Sequence, residues 1–202
     1  MVDYSIENEY REKGFNIICG VDEAGRGPLA GPVYAAAVIL PSDCVIEGLN
    51  DSKKLTEKKR EALFDEIKEK ALAYGIASAD EKEIDEINIL NATFLAMKRA
   101  IDSLSVKPDL ALIDGNQKPH TDIEEVTVIK GDAKSMSIAA ASVLAKVSRD
   151  RFMLEMAEKY PQYEFARHKG YGTKLHYEKI AQYGVCDIHR LTFLKKILGE
   201  QK

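Results

Sequence analysis

Residues 17 to 32 read I-I-C-G-V-D-E-A-G-R-G-P-L-A-G-P, and this stretch limits the possible folds more than any other part of the chain. The short apolar run from Ile17 to Val21 has the character of a buried strand, and it leads straight into two carboxylates, Asp22 and Glu23. Behind them come Gly25, Gly27 and Gly31, interleaved with Pro28 and Pro32. Side chains alternate along a strand, so Asp22 and Glu23 can enter one site together only if the strand ends there. The glycines supply such an ending, because a residue without Cβ adopts positive φ and lets the backbone approach a ligand closely. Arg26 stands between two of them, where its guanidinium and the neighbouring amides can meet one polar ligand together.

Three readings compete for this stretch. A surface hairpin with solvated charges is the ordinary outcome for an isolated Asp-Glu pair. A dinucleotide site is suggested by Gly25-x-Gly27-x-x-Ala30, which formally fits the glycine fingerprint that follows a strand. That second reading fails, because Pro28 and Pro32 flank the point where a helix should start and residues 33 to 40 are again apolar and β-branched. Two carboxylates beside the glycines would also repel a pyrophosphate. The third reading is a divalent-metal site whose carboxylates hold the cation while the glycine turn grips the substrate, and the remaining sequence favours it.

Residues 33 to 40, V-Y-A-A-A-V-I-L, closed by Pro41, predict a second strand buried on both faces and paired with the first. Thr56 is placed to cap a helix over 57 to about 74, with Leu63, Ile67 and Ala71 at helical spacing. Residues 75 to 78 make a short strand, and Leu90, Phe94, Met97, Ile101 and Leu104 predict a helix over 88–104. Two more apolar strands, 109–113 and 125–129, end in Asp114-Gly115-Asn116 and Lys130-Gly131-Asp132. A long helix over 135–159 opens on the small residues S-I-A-A-A-S-V-L-A, suited to close packing on a sheet, and Pro161 stops it. Thr173 caps a further helix to about Tyr183, and residues 193 to 198 add a last turn or two. Strands alternating with helices predict an α/β fold with a mixed sheet, helices on its faces and sites at its strand ends.

The 202 residues, 45% of them apolar, suffice for one domain with a sizeable core, or one domain plus a small appendage. No apolar run reaches the length of a membrane span, and the acidic start M-V-D-Y-S-I-E-N-E-Y carries no signal-like segment, which points to the cytoplasm. Cys19, Cys44 and Cys186 are scattered and lack C-x-x-C spacing, which argues against a disulfide framework or a zinc site. The net charge of -4 hides a division: residues 129 to 202 hold 14 Lys and Arg against 8 Asp and Glu, and residues 1 to 128 hold 15 against 25. A basic final third is compatible with a polyanion met on one face, although such residues are also the usual furniture of solvated helices.

Asp22, Glu23, Asp114 and Asp132 each stand at the end of an apolar strand near a glycine. Any one of them alone reads as a turn residue bonded to its own backbone. Four carboxylates converging without a cation would bind protons instead of ionising, so the joint pattern implies divalent metal. Mg²⁺ suits hard oxygen ligands, and two such ions about 4 Å apart can clamp both oxygens of a phosphodiester displacement. No P-loop or H-E-x-x-H motif competes, and His168, His176 and His189 read equally as surface, capping or functional residues.

Six blocks carry a resemblance to a known family. They are V-D-E-A-G-R-G-P-L-A-G-P-V at 21 to 33, N-D-S-K-K-L at 50 to 55, L-I-D-G at 112 to 115, K-G-D-A-K-S-M-S-I-A-A-A-S-V-L-A-K-V-S-R-D at 130 to 150, H-K-G-Y-G-T at 168 to 173 and I-H-R-L-T-F at 188 to 193. In this order they closely resemble bacterial ribonuclease HII. The resemblance implies a ribonuclease H-like mixed β-sheet flanked by helices, with a small helical C-terminal extension from about residue 167 on a single catalytic domain over 1–202. It implies an endonuclease that cuts the RNA strand of RNA/DNA hybrids and nicks 5′ of a lone ribonucleotide in duplex DNA. It further implies products with a 5′-phosphate and a 3′-hydroxyl, Mn²⁺ or Mg²⁺ as a cofactor of two ions, and a role in removing ribonucleotides and RNA primers from DNA. Carried over by residue, the resemblance makes Asp22, Glu23, Asp114 and Asp132 the catalytic metal ligands. It places Gly25, Arg26 and Gly27 at ribose 2′-hydroxyls, Tyr171 against the sugar at the RNA-to-DNA junction, and Lys53 near the scissile phosphate. Tyr171 reads equally as a loop anchor on the residues alone.

Lys130, Lys134, Lys146, Arg149 and Lys169 are expected to contact phosphates collectively. The sister family, ribonuclease HIII, carries an N-terminal substrate-binding domain, and the short tail before Phe15 leaves no room for it and is itself open to disorder. A monomer is the default expectation. Two other functions stay in play: a metal nuclease of similar fold acting on ordinary DNA, such as a junction resolvase, and a catalytically silent hybrid-binding module.

Overall fold

The computed structural model describes residues 2–199. Its sheet is built from β1 (Ile18–Ala24), β2 (Val33–Ile39), β3 (Ala73–Ala79), β4 (Leu110–Asp114) and β5 (Glu124–Val128). The strand order is β3-β2-β1-β4-β5, with β3, β2 and β1 pairing antiparallel and β1, β4 and β5 pairing parallel. The expected mixed sheet is therefore observed, and the second strand does pair with the first.

Helices α1 (Ser5–Glu12), α2 (Glu57–Lys70), α3 (Glu81–Asp102), α4 (Met136–Lys159), α5 (Phe165–His168), α6 (Lys174–Tyr183) and α7 (Leu191–Leu198) complete the fold. α3 covers one sheet face, where Cys19, Val21, Ala35 and Ile113 meet Ala92, Ala96 and Met97. α4 covers the other, where Ala36 and Val38 meet the small residues Ala139, Ala140 and Val143. Gly20 makes this contact close, since a Cβ there would fall 2.2 Å from the backbone nitrogen of Ile138. Small residues on both sides thus seat the start of α4 against the middle of β1, and α4 brings with it the turn that precedes it.

Three local expectations need correction. The chain before Phe15 is not a loose tail: α1 docks through Glu7, whose Oε1 accepts from Ser135 Oγ at 2.6 Å and from Ser137 N at 2.9 Å. An acidic, polar segment looks solvated in sequence, and its one buried carboxylate is chosen by a partner far along the chain. α3 starts earlier than residue 88, with Asp80 and Glu83 forming a capping box. Asn88, at φ 67, interrupts the helix and its Oδ1 accepts from Leu90 N and Asn91 N, so the expected helix is the second half of α3. Finally, β1 does not end at Val21 but continues through Asp22 and Glu23, which pair in register with Ala36 and Ala35.

Candidate active site

The carboxylates of Asp22, Asp114 and Asp132 come together, one oxygen of each lying within 4.8 Å of the others. Strand register accounts for the first two. β1 and β4 run parallel with Val21 beside Ile113, so Asp22 and Asp114 are the next residues along neighbouring strands. Both share parity with Ile18, Leu110 and Leu112, which face α4. Asp132 arrives from the short 3-10 turn Gly131–Ala133 ahead of α4, and Asp114 fixes that turn by accepting from Gly131 N at 2.6 Å. Hard carboxylate oxygens at this spacing fit a divalent cation, since oxygens on opposite sides of Mg²⁺ at about 2.1 Å stand about 4.2 Å apart.

Glu23 is not part of this tight trio. Because β1 stays regular, Glu23 leaves the opposite sheet face from Asp22, and the expectation that the strand ends in time for both to enter together is wrong. Glu23 borders a cleft of about 260 Å³ on the α3 side, shared with Arg26, Thr93, Asp114, Asn116 and Gln117. Its Oε1 lies 3.5 Å from Arg26 Nη1. Asp114 therefore belongs both to the trio and to the cleft that Glu23 borders. A larger hollow of about 590 Å³ beside Asp85, Asn88 and Phe193 is lined by none of the four acids.

Burial dominates the electrostatics. It pushes the carboxyl of Asp22 well up, with repulsion from Glu23 and Asp114 adding to it. Asp132 rises through burial and then Asp114, and Glu23 rises through burial against the attraction of Arg26. Carboxylates this reluctant to ionise need a cation to stay charged together. Lys53 is exposed but its Nζ reaches to 3.7 Å from Asp132. Burial would lower the lysine, yet attraction to Asp22 and Asp132 outweighs it and the ammonium is held above its ordinary range.

Two residues at the site have no part in the sequence reading. Asp51 caps the turn carrying Lys53, accepting from Lys53 N at 2.9 Å, and its charge adds to the repulsion that raises the Asp132 carboxyl. Ser142 on α4 is close enough to Asp22 to oppose the rise of its carboxyl, and its hydroxyl lies 2.8 Å from that of Ser52. Both stand inside the quoted blocks, and a polar residue in the otherwise small-apolar opening of α4 is the signal that finds Ser142.

The glycine-arginine-glycine turn lies beside the loop carrying Tyr171. Gly25 has φ +98, and a Cβ on it would strike the Arg149 side chain, 2.1 Å from Nε. Its glycine is thus required by its positive φ and by the buried arginine packed against it. A Cβ on Gly27 would meet only Tyr171, at 4.0 Å, so Gly27 is the glycine that faces open space. Tyr171 is 44% exposed. Arg149, expected among the phosphate contacts, is corrected: it is buried, and it donates to the carbonyls of Pro32, Ala30 and Lys169 at 3.2, 3.1 and 3.1 Å. Of the other lysines in that group, Lys146 pairs with Asp150 and Lys169 bonds the Ala166 carbonyl, while Lys130 is exposed.

The three histidines are likewise not surface residues. His176 Nδ1 donates to the Tyr171 carbonyl at 3.0 Å, so its bare Nε2 accepts from His189 Nε2 at 3.1 Å. His189 Nδ1 then accepts from Cys186 N at 2.9 Å, and His168 stacks on His176. This chain of neutral rings is consistent with one tautomer each and anchors the Tyr171 loop from beneath.

The family model described as Ribonuclease HII matches residues 19–196. The Ribonuclease HII of Caldicellulosiruptor bescii is 58% identical over 196 residues, covering 97% of this chain and 95% of that protein. Among solved structures, the ribonuclease H2 of Pyrococcus horikoshii OT3 matches with a TM-score of 0.74 and 28% identity, covering 92% of this chain and 100% of that one. A Bst-RNase HIII shares the fold at a TM-score of 0.70 and 19% identity, over 91% of this chain and 69% of that one.

Proposed function

The chain belongs to the ribonuclease HII family, and from that premise we propose that it nicks duplex DNA on the 5′ side of a single embedded ribonucleotide, leaving a 5′-phosphate and a 3′-hydroxyl. Its broader activity, hydrolysis of the RNA strand in RNA/DNA hybrids with a divalent metal ion, is that of the family. The observation that carries the finer reading is the meeting of Asp22, Asp114 and Asp132 from three separate segments within 4.8 Å.

Asp22, Asp114 and Asp132 would hold a divalent cation, Mn²⁺ or Mg²⁺, with Glu23 serving a second ion from the α3 side. The Bst-RNase HIII neighbour was solved with Mn²⁺. Bound there, the metal supplies charge neutralisation and in-line positioning for phosphodiester hydrolysis. Lys53, held protonated beside Asp132, meets the phosphate near the scissile bond as a point charge. The turn of Gly25, Arg26 and Gly27 meets the ribose 2′-hydroxyl, the group that separates RNA from DNA. The exposed ring of Tyr171 packs on the sugar at the junction.

The protein acts as a monomer in the cytoplasm, as one catalytic domain with a helical extension from about residue 167, removing ribonucleotides and primers from DNA. Consistent with this, no helix among the described residues is long and apolar enough to cross a membrane. The test is incubation with a DNA duplex containing one ribonucleotide, with Mn²⁺ or Mg²⁺ against EDTA. A metal-dependent nick 5′ of the ribonucleotide supports the proposal. All-DNA duplexes or four-way junctions cut equally well would favour a general DNA nuclease, and binding without cutting a silent module.

A further inference from the structure

We propose that Arg190 is a positioning residue for ribonucleotide recognition, holding the Gly25-Arg26-Gly27 turn from inside the protein so that the amides of Arg26 and Gly27 face the substrate. Arg190 is fully buried, at 0% exposure, and among the described residues it makes no ion pair, Glu81 and Asp85 attracting it only from further off. Its guanidinium instead donates to three carbonyls: Gly25 at 2.6 Å, Arg26 at 3.0 Å and Gly31 at 2.8 Å. A buried cation without a counter-ion is costly, so the backbone it binds is held firmly.

The direction of those bonds matters. Among the described residues no peptide bond is cis, and in a planar trans peptide the C=O and the N–H point opposite ways. The Gly25 carbonyl belongs to the peptide whose N–H is that of Arg26, and the Arg26 carbonyl to the peptide whose N–H is that of Gly27. Both carbonyls point inward at Arg190, so both amides point outward. Neither amide has an acceptor among the described residues. They face the side where Gly27 neighbours the exposed Tyr171 ring. A guanidinium on the carbonyl also polarises the peptide and strengthens its N–H as a donor.

The frame behind this clamp is braced by the same C-terminal segment. Arg190 N donates to Leu29 O at 2.9 Å, Gly31 N to Ile188 O at 2.8 Å, and Leu29 N to Gly170 O at 2.8 Å. Arg149 ties Ala30 and Pro32 to Lys169 in the Tyr171 loop. Residues 188–190 therefore act on the sugar-reading turn without touching the substrate.

The inference rests on the reading that this turn meets the ribose, and the experiment separates the two. Binding of a duplex with one ribonucleotide and of the matching all-deoxy duplex is measured by fluorescence anisotropy in Ca²⁺, whose looser oxygen coordination holds charge without the geometry hydrolysis needs. Arg190→Lys keeps the charge, but an ammonium cannot span three carbonyls. We expect it to keep its melting transition and its affinity for the all-deoxy duplex within about twofold, while preference for the ribonucleotide falls about tenfold, the scale of weakening one net hydrogen bond. Arg190→Ala should lose the same preference, and millimolar guanidinium should restore part of it. A folded Arg190→Lys with wild-type preference, or equal loss on both duplexes, would overturn the inference. Wild-type protein that does not distinguish the duplexes would instead remove the sugar-reading role of the turn, and the inference with it.

Discussion

Asp114 and Gly131 are joined across 17 residues of chain by a 2.6 Å hydrogen bond, the carboxylate Oδ1 accepting from the glycine amide. The same oxygen accepts from Asp132 N at 3.3 Å, so one acid of the site positions the next.

That link sets the outcome of Asp114→Asn. An asparagine keeps a carbonyl oxygen for both amides but gives up the charge. Hydrolysis of an RNA/DNA hybrid should fall by at least about 10²- to 10³-fold, the scale for losing one preorganised electrostatic group. Thermal stability should stay the same or rise, because the fold no longer crowds like charges together. Loss of activity that merely tracks a collapsed melting transition would contradict the assignment.

Metal should stabilise the protein as well as activate it. At about 100 times its dissociation constant, a cation bound only to the folded state adds about 2.7 kcal/mol. For a chain of this length that is a rise in melting temperature of about 5–10 °C. Differential scanning fluorimetry with Mn²⁺ or Mg²⁺ should show it in the wild type and show little of it in Asp22→Asn. An equal rise in both would place the ion elsewhere.

How much of this was legible in the sequence depends on the residue. The strands and several of the helix caps could be read because each is set by its own neighbours, and three of the acids, Asp22, Asp114 and Asp132, do meet. The parity of Glu23 could not, since it depends on β1 continuing in register with β2 through Ala24↔Tyr34. Arg149 looks like one more basic residue on a helix, and its three carbonyl acceptors lie up to 119 residues away. Glu7 likewise hides in a polar opening because Ser135 and Ser137 lie 128 and 130 residues further on.

Glu7 gives a stability prediction. Its Oε1 accepts from Ser135 Oγ, Ser137 N and Ser137 Oγ, and among the described residues Oε2 has no partner. Glu7→Ala would strand those buried donors and should cost about 2–4 kcal/mol in urea unfolding. A loss under about 0.5 kcal/mol, the range of neutral surface changes, would show that α1 contributes little.

The histidine chain makes stability pH-dependent. Burial first, and then nearby histidines, pull His176 and His189 down to about 4 from the ordinary 6.5. Between those values the unfolded chain binds more protons than the fold, so this stabilisation is complete above pH 6.5 and is lost as pH falls toward 4. The buried acids work in the opposite direction, because their raised carboxyls release strain on protonation. The comparison is therefore between wild type and His176→Gln: the variant should be less stable at pH 7.5 and lose less between pH 6.5 and 4. Parallel profiles would mean that His176 already carries its proton in the fold.

The most direct measurement is the anomalous scattering of a crystal soaked in Mn²⁺. The account predicts a peak within coordination distance of Asp22, Asp114 and Asp132. A peak bound elsewhere, or none near these three carboxylates at saturating metal, would contradict it.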